Sequence, residues 1–447
     1  MGQGLSQHVY AKLDRLAGPA GRFALGYSGG GDSHALLLLA SAWARAGGRA
    51  LTVFIVDHGL RPESAAEAAL AASRARACGV EAEILRWSGR KPTETTQSAA
   101  RAARHALLAE ACASRDLSHL LLAHTLDDQA ETVWMRLAAG GGWRSLAAMR
   151  EVSPSPAWPQ GRGLRMIRPL LDVRRQTLRD YLTQAGAEWI EDPSNLDTRF
   201  TRIRTRERLA HLQARQFDPA RLAQWAGEIA DIDHAEAEAA GHLAMAALQL
   251  ESWGGAQLDL ERYARAKECV RLRLLDALVF ALAIAGTTPA RRQLRQLDRA
   301  LLDGQRTTAA GLMTERWKSE SWVLRDPGSL LGRVDRAATP LEPHCVGAEI
   351  RLEASLKDAQ IAPLGRDYST LRHPERLQTV PGIARPGLTA VRHCGEIIAL
   401  PGLLGDERVG FENWVPERFM MRLFAVTPPA WFDIKTVIRT PAETLSP

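Results

Sequence analysis

The chain has 447 residues, 46% of them hydrophobic and 24% charged, a composition that fits two or three folded domains and excludes intrinsic disorder. Its longest apolar runs, Ala35–Ala40 and Ala277–Ala285, fall well short of the roughly 20 residues a membrane-spanning helix needs, and its first residues have neither the basic nor the apolar stretch of a signal peptide. A soluble cytoplasmic protein is expected, with no membrane partner. Five scattered cysteines without a Cys-x-x-Cys pair argue against a disulfide framework, a zinc ribbon or a thiol relay, and a net charge of +6, carried almost wholly by arginine, permits a polyanionic partner.

In chain order, Phe23–Tyr27, Leu51–Val56, Glu81–Trp87 and His119–Ala123 read as short buried strands. Between them Ser33–Ala46, Pro62–Cys78 and Glu94–Ser114 read as helices. Such βαβ alternation predicts an α/β fold with a parallel sheet covered on both faces and ligands at the carboxyl ends of its strands. Ser153–Gly163 reads as a surface loop, and Arg174–Ala185 as the helix of a further unit. From about Pro219 the texture turns helical, over residues 219–250 and Glu261–Ala285. A hairpin is expected within Ala309–Leu324, and short strands at Glu349–Leu352, Thr389–Val391 and Ile397–Leu400 suggest a small mixed C-terminal domain.

The first strand runs into Ser28-Gly29-Gly30-Gly31-Asp32-Ser33 at the start of a helix. Glycines let the backbone approach a ligand, and a helix N-terminus offers unpaired N–H groups to an anion. Ser28 and Ser33 add hydroxyl donors, and Asp32 is a candidate magnesium-side carboxylate. No Gly-Lys pair occurs, which excludes a Walker A loop, and the glycine spacing does not fit Gly-x-Gly-x-x-Gly. The second strand ends in Val56-Asp57-His58-Gly59-Leu60-Arg61, beside the first loop in a parallel sheet. Arg101 and Arg104 share a helix face and can clamp phosphate. In His124-Thr125-Leu126-Asp127-Asp128-Gln129-Ala130-Glu131-Thr132, Asp128 and Glu131 share a face of a helix that starts after the fourth strand. Two such carboxylates can hold magnesium against a triphosphate or take a proton from a nucleophile, while Asp127 is expected to cap.

Taken together, Ser28–Ser33, Val56–Arg61, His124–Thr132, the expected strand Arg168-Pro169-Leu170-Leu171, Glu191-Asp192-Pro193-Ser194-Asn195 and the arginine-rich run after Phe200 resemble the tRNA(Ile)-lysidine synthase family of N-type ATP pyrophosphatases. The resemblance covers about residues 20–210. Ile203 stands where that family has asparagine, and Ala139, Ser145 and Ala148 depart from its glycine-rich segment. It implies a parallel-sheet PP-loop domain, adenine nucleotide alpha hydrolase-like, over residues 1–215. A mostly helical, tRNA-contacting domain over 216–335 and a small mixed domain over 336–447 would follow. It further implies ligation of L-lysine to the wobble cytidine of the CAU anticodon of tRNA(Ile), through an adenylated cytidine, with ATP and Mg2+ as cofactors. In that reading Asp32, Arg101, Arg104, Asp128 and Glu131 are catalytic. Ser28, Gly29, Gly30, Gly31, Asp32, Ser33, Asp57 and His58 bind ATP. Asp32 and Asp128 hold metal, and Arg202, Arg204, Arg206 and Arg208 bind tRNA. The alternatives are another adenylating enzyme of the superfamily, such as a tRNA thiolase or a glutamine-fed amidotransferase, or a non-catalytic nucleotide- or RNA-binding module. The cysteine pattern disfavours the first and the retained carboxylates the second.

Overall fold

The computed structural model describes residues 2–88, 97–190, 201–284, 287–334, 347–365, 371, 374–425 and 428–439. They fall into two compact units, Met1–Asp233 and His234–Pro447. Glu191–Asn195, Phe200 and the first residues of the expected Glu94–Ser114 helix lie outside the described residues.

The first unit follows the expected alternation. Helix α1 (Gly2–Ala17) precedes β1 (Arg22–Gly26), α2 (Gly31–Ala46), β2 (Ala50–Asp57), α3 (Ser64–Ala77), β3 (Glu81–Arg86), α4 (Gln97–Ala113), β4 (His119–Leu121) and α5 (Leu126–Ala138). Then come β5 (Val152–Pro154), β6 (Arg165–Ile167), α6 (Arg175–Gln184) and α7 (Thr201–Ala214). The strands form one six-stranded sheet in the order β3-β2-β1-β4-β6-β5. Neighbours run parallel except β5, which pairs antiparallel with β6.

Strand β1 shows why a central strand of this sheet is apolar on both faces. Successive side chains leave a strand on opposite faces. Phe23 and Leu25 pack on one face with Leu13, Leu36, Ala72 and Leu178 of α1, α2, α3 and α6. Ala24 packs on the other with Leu108 and Cys112 of α4. Both faces are buried, so no polar alternation survives.

Two local expectations are corrected. The segment expected as a surface loop begins with β5, an edge strand where Pro154, lacking an N–H, is tolerated. Arg168–Leu171 is not a strand: β6 ends at Ile167, and Pro169 cannot donate to a ladder.

Helix α8 (Ala220–Ala247) runs through the boundary between the units. The second unit continues with β7 (Leu248–Glu251), β8 (Gly255–Leu258), α9 (Leu260–Arg265), α10 (Glu268–Leu282), α11 (Arg291–Leu302), β9 (Thr307–Ala309), β10 (Leu312–Trp317), β11 (Glu320–Arg325) and α12 (Pro327–Val334). It closes with β12 (Ala348–Leu352), β13 (Gln360–Pro363), β14 (Thr389–His393), β15 (Glu396–Ala399), β16 (Val409–Asn413), α13 (Val415–Phe424) and β17 (Ile438–Arg439). The strands make three sheets, β17-β7-β8-β11-β10-β9, β12-β16 and β13-β14-β15. The expected hairpin is β10–β11, which turns through Lys318 and Ser319 at φ 51° and 68°. The single helical pattern Glu261–Ala285 divides into α9 and α10, because Ala266 and Lys267 adopt extended backbone. Residues 216–335 therefore contribute β7 to β11 as well as helices. Leu274, Leu275 and Leu278 of α10 form the unit's core with Phe419, Leu423 and Phe424 of α13.

Candidate active site

The chain leaves β1 toward β2 and β3 on one side, then returns to place β4 on the other. Between the carboxyl ends of β1 and β4 lies the point where strand order reverses, the crevice in which open α/β sheets bind ligands.

Beyond β1, Gly29 adopts φ +82°, so its conformation requires glycine, while a Cβ there would meet the movable tip of Ile190, Cδ1 at 2.8 Å. Gly30 differs: its φ is −70° and no protein atom lies closer than 3.7 Å to an added Cβ. Its carbonyl accepts from His34 N–H at 2.9 Å and from Ser33 Oγ at 2.8 Å, and Ser33 Oγ also lies 3.1 Å from Ser28 Oγ. Helix α2 starts without a side-chain cap. Its first N–H groups and positive dipole end thus face the crevice, ready for an anion. At the end of β2, Asp57 accepts the Gly59 N–H at 2.9 Å, and His58 meets the Trp87 ring edge-on at 6.1 Å.

Beyond β4, α5 begins with a capping box. Thr125 N–H donates to Asp128 Oδ2 at 2.8 Å, and Asp128 N–H donates back to Thr125 Oγ1 at 3.3 Å. Asp127 caps a different helix than expected, accepting the Arg175 N–H at 2.7 Å where α6 begins. The other Asp128 oxygen, with Glu131 and Asp32, meets arginines. Arg175 donates to Asp32 Oδ2 at 3.0 Å, Asp128 Oδ1 at 3.0 Å and Glu131 Oε1 at 3.4 Å. Arg202 donates to Asp128 Oδ1 at 2.9 Å and Glu131 Oε2 at 2.6 Å, and Arg206 to Glu131 Oε1 at 2.6 Å. Three carboxylates thus face three guanidinium groups. Burial pushes Asp128 up, but Arg202 and Arg175 hold it below the usual carboxylate range. For Asp32 burial prevails over Arg175, and its carboxyl is raised. Among the described residues no three His, Cys, Asp or Glu side chains form a group that could hold a metal ion as they stand, and the Arg175 guanidinium sits among Asp32, Asp128 and Glu131.

Arg101 and Arg104 contrast with that balanced cluster, since neither has an ion-pair or hydrogen-bond partner among the described residues. Arg104 Nη2 comes within 3.8 Å of where a Cβ on Gly26 would sit, at the end of β1. Buried Arg168 is pushed down to about 10 by burial and by Arg101, and its Nε has no partner among the described residues. Burial first, and then Arg168, bring His124 down to about 3, and its Nδ1 is likewise buried without a partner among the described residues. The crevice therefore has a neutralised acidic side and an uncompensated cationic side.

Arg175 is a member of the site that the sequence reading missed. One signal was present: an arginine in the first turn of a helix carries the wrong sign for the dipole, so it needs another partner. The run Arg202, Arg204, Arg206 and Arg208 is also divided by its helix. Ile203, Thr205 and Leu209 are buried, Arg202 and Arg206 turn to the carboxylates, and Arg204 and Arg208 are exposed.

A crevice with a glycine-rich phosphate loop and acidic helix starts defines a PP-loop protein, and the family described as "PP-loop domain" matches residues 5–213. The chain is 50% identical over 182 residues to the tRNA(Ile)-lysidine synthase of Hyphomonas neptunium, across 41% of this chain and 49% of that one. It is 47% identical over 200 residues to the Caulobacter vibrioides enzyme, across 44% and 48%. With the Bradyrhizobium sp. enzyme identity is 40% over 307 residues, across 65% of this chain and 84% of the relative. The chain belongs to the tRNA(Ile)-lysidine synthase family. It spans about half the length of the first two relatives.

Proposed function

We propose that the protein ligates L-lysine to C2 of the wobble cytidine in the CAU anticodon of tRNA(Ile), consuming ATP and releasing AMP and pyrophosphate. The observation that carries this reading is the crevice itself, where an uncapped helix start, arginines without a partner among the described residues and three carboxylates meet. Relatives named tRNA(Ile)-lysidine synthase supply the substrate class. In this reading Ser28 to Ser33 receive the phosphates of ATP, with Asp57 and His58 at the adjoining strand end. Arg101 and Arg104 offset charge on the α-phosphate as the cytidine O2 attacks and pyrophosphate leaves. Glu131 and Asp128 then accept the proton that the lysine ε-ammonium must lose before its nitrogen displaces AMP. Mg2+, held by Asp32 and Asp128, would neutralise phosphate charge. The exposed Arg204 and Arg208 contact the tRNA backbone. Among the described residues no helix is long and apolar enough to cross a membrane, and we assign the protein to the cytoplasm.

One assay tests the reading: incorporation of labelled lysine into a CAU-anticodon transcript, with pyrophosphate release followed in parallel. We expect lysine incorporation, and pyrophosphate release beyond one equivalent per bound tRNA, to require tRNA, lysine and ATP together. Repeated pyrophosphate release that ignores lysine would point to another adenylating chemistry, and none at all to a binding module.

A further inference from the structure

Arg202 and Arg206 carry charge of the sign that a tRNA backbone needs, yet they are engaged with Asp128 and Glu131. Glu131 is 2% exposed and accepts from Arg175, Arg202 and Arg206 together. Arg175 is fixed at its backbone by Asp127 and bridges the first turns of α2 and α5, so it belongs to the frame. Arg202 and Arg206 differ, because they reach in from α7, half-exposed, with side-chain exposures of 31% and 32%. One turn of helix separates the two, so they act on the same face.

We propose that Arg202 and Arg206 are exchangeable counter-ions: they occupy the place of the reaction's cations while the site is idle, and leave it for RNA phosphates when the substrate docks. A guanidinium cannot lose its proton at physiological pH, so it vacates the carboxylates only by moving to another anion. The two exchanges are then linked. Phosphates that draw the arginines away expose Asp128 and Glu131 to a metal ion or to the lysine ammonium, and cations on the carboxylates release the arginines to RNA. Linkage requires the coupling to be equal in both directions. The arginines thereby favour cation uptake on the RNA-bound protein, which ties ATP use to the presence of the correct substrate. This inference rests on the tRNA-modifying function proposed above.

The test uses the full chain and measures tRNA affinity against salt. Neutralising Glu131 by Glu131→Gln keeps its shape, frees Arg206 and leaves Arg202 held by Asp128 alone. Binding should tighten by about 3- to 10-fold, and the slope of log affinity against log salt should steepen by roughly 1–2, near 0.9 for each added phosphate. Glu207→Gln removes the same charge from an exposed position on α7 and should leave the slope unchanged. In an Arg202→Gln/Arg206→Gln background the effect of Glu131→Gln on the slope should vanish. An unchanged slope in Glu131→Gln, or an equal change in the double-arginine background, overturns the proposal. If Glu131→Gln does not fold by circular dichroism, Asp128→Asn removes one of the two carboxylates that hold Arg202 and carries the same comparison. A second readout needs no RNA: Arg202→Gln/Arg206→Gln should bind Mn2+ about 10-fold more tightly than the unsubstituted protein, by electron paramagnetic resonance. Unchanged Mn2+ affinity overturns the counter-ion role. A protein that binds no tRNA at all would overturn the proposed function, leaving the Mn2+ comparison to decide the counter-ion role alone.

Discussion

At the scale of single residues, the two adjacent glycines of the phosphate loop do different work. Gly29 serves conformation, whereas Gly30 serves access, since space lies open above it. Gly30→Val should therefore leave the melting temperature within a few degrees and abolish measurable ATP binding in calorimetry. Retained affinity would remove the loop from the site. Asp128→Asn preserves the capping geometry but removes a charge that Arg202 and Arg175 both use, and should cut lysidine formation by on the order of 10²-fold or more. His105 gives a pH prediction. Burial, then Arg101, Arg104 and Arg168, bring it down to about 4, whereas in the unfolded chain it titrates near 6.5. The unfolded state takes up the proton first, so the contribution of neutral His105 is complete above pH 6.5 and is lost as the pH falls toward 4. The loss approaches about 3 kcal/mol. Urea titrations of His105→Gln should show a correspondingly flatter acid limb than the unsubstituted protein.

At the scale of elements, α7 shows why position along a chain is not position in space. Alternate residues form a strip on a strand, but on a helix they step about 200° apart and part company. Arg202 and Arg206 therefore go one way, Arg204 and Arg208 the other. Arg204→Gln with Arg208→Gln should lower the salt dependence of tRNA binding by roughly 1–2 in the log–log slope. Filter binding at several salt concentrations checks this, and an unchanged slope would mean that the outer face of α7 touches no RNA. Helix α5 was legible because its start signals are local: Thr125 and Asp128 satisfy each other's backbone groups three residues apart. Strands β7 and β8 were not, because each is four residues long, and the pair follows a long alanine-rich helix without a periodic signature of its own.

At the scale of the whole molecule, each of the two units has its own buried clusters among the described residues, and damage to those of one should be separable from damage to those of the other. Leu278 of α10 is fully buried, and Leu278→Ala should cost about 2–5 kcal/mol of stability. Differential scanning calorimetry should show the loss, while ATP affinity well below the melting temperature stays unchanged. A matching loss of ATP affinity would show that the phosphate loop depends on the core of the second unit. The division between sequence and tertiary structure follows the range of the forces involved. The parallel sheet, the phosphate loop and the acidic helix start rest on burial patterns, glycine conformations and caps that act over a few residues, so the amino-acid sequence by itself determined them. The state of the carboxylates was decided only in three dimensions. Arg175 meets Asp32 across 143 residues of chain, and Arg206 meets Glu131 across 75. Charged groups pair with whatever the fold brings within a few ångströms, and no local pattern records that choice.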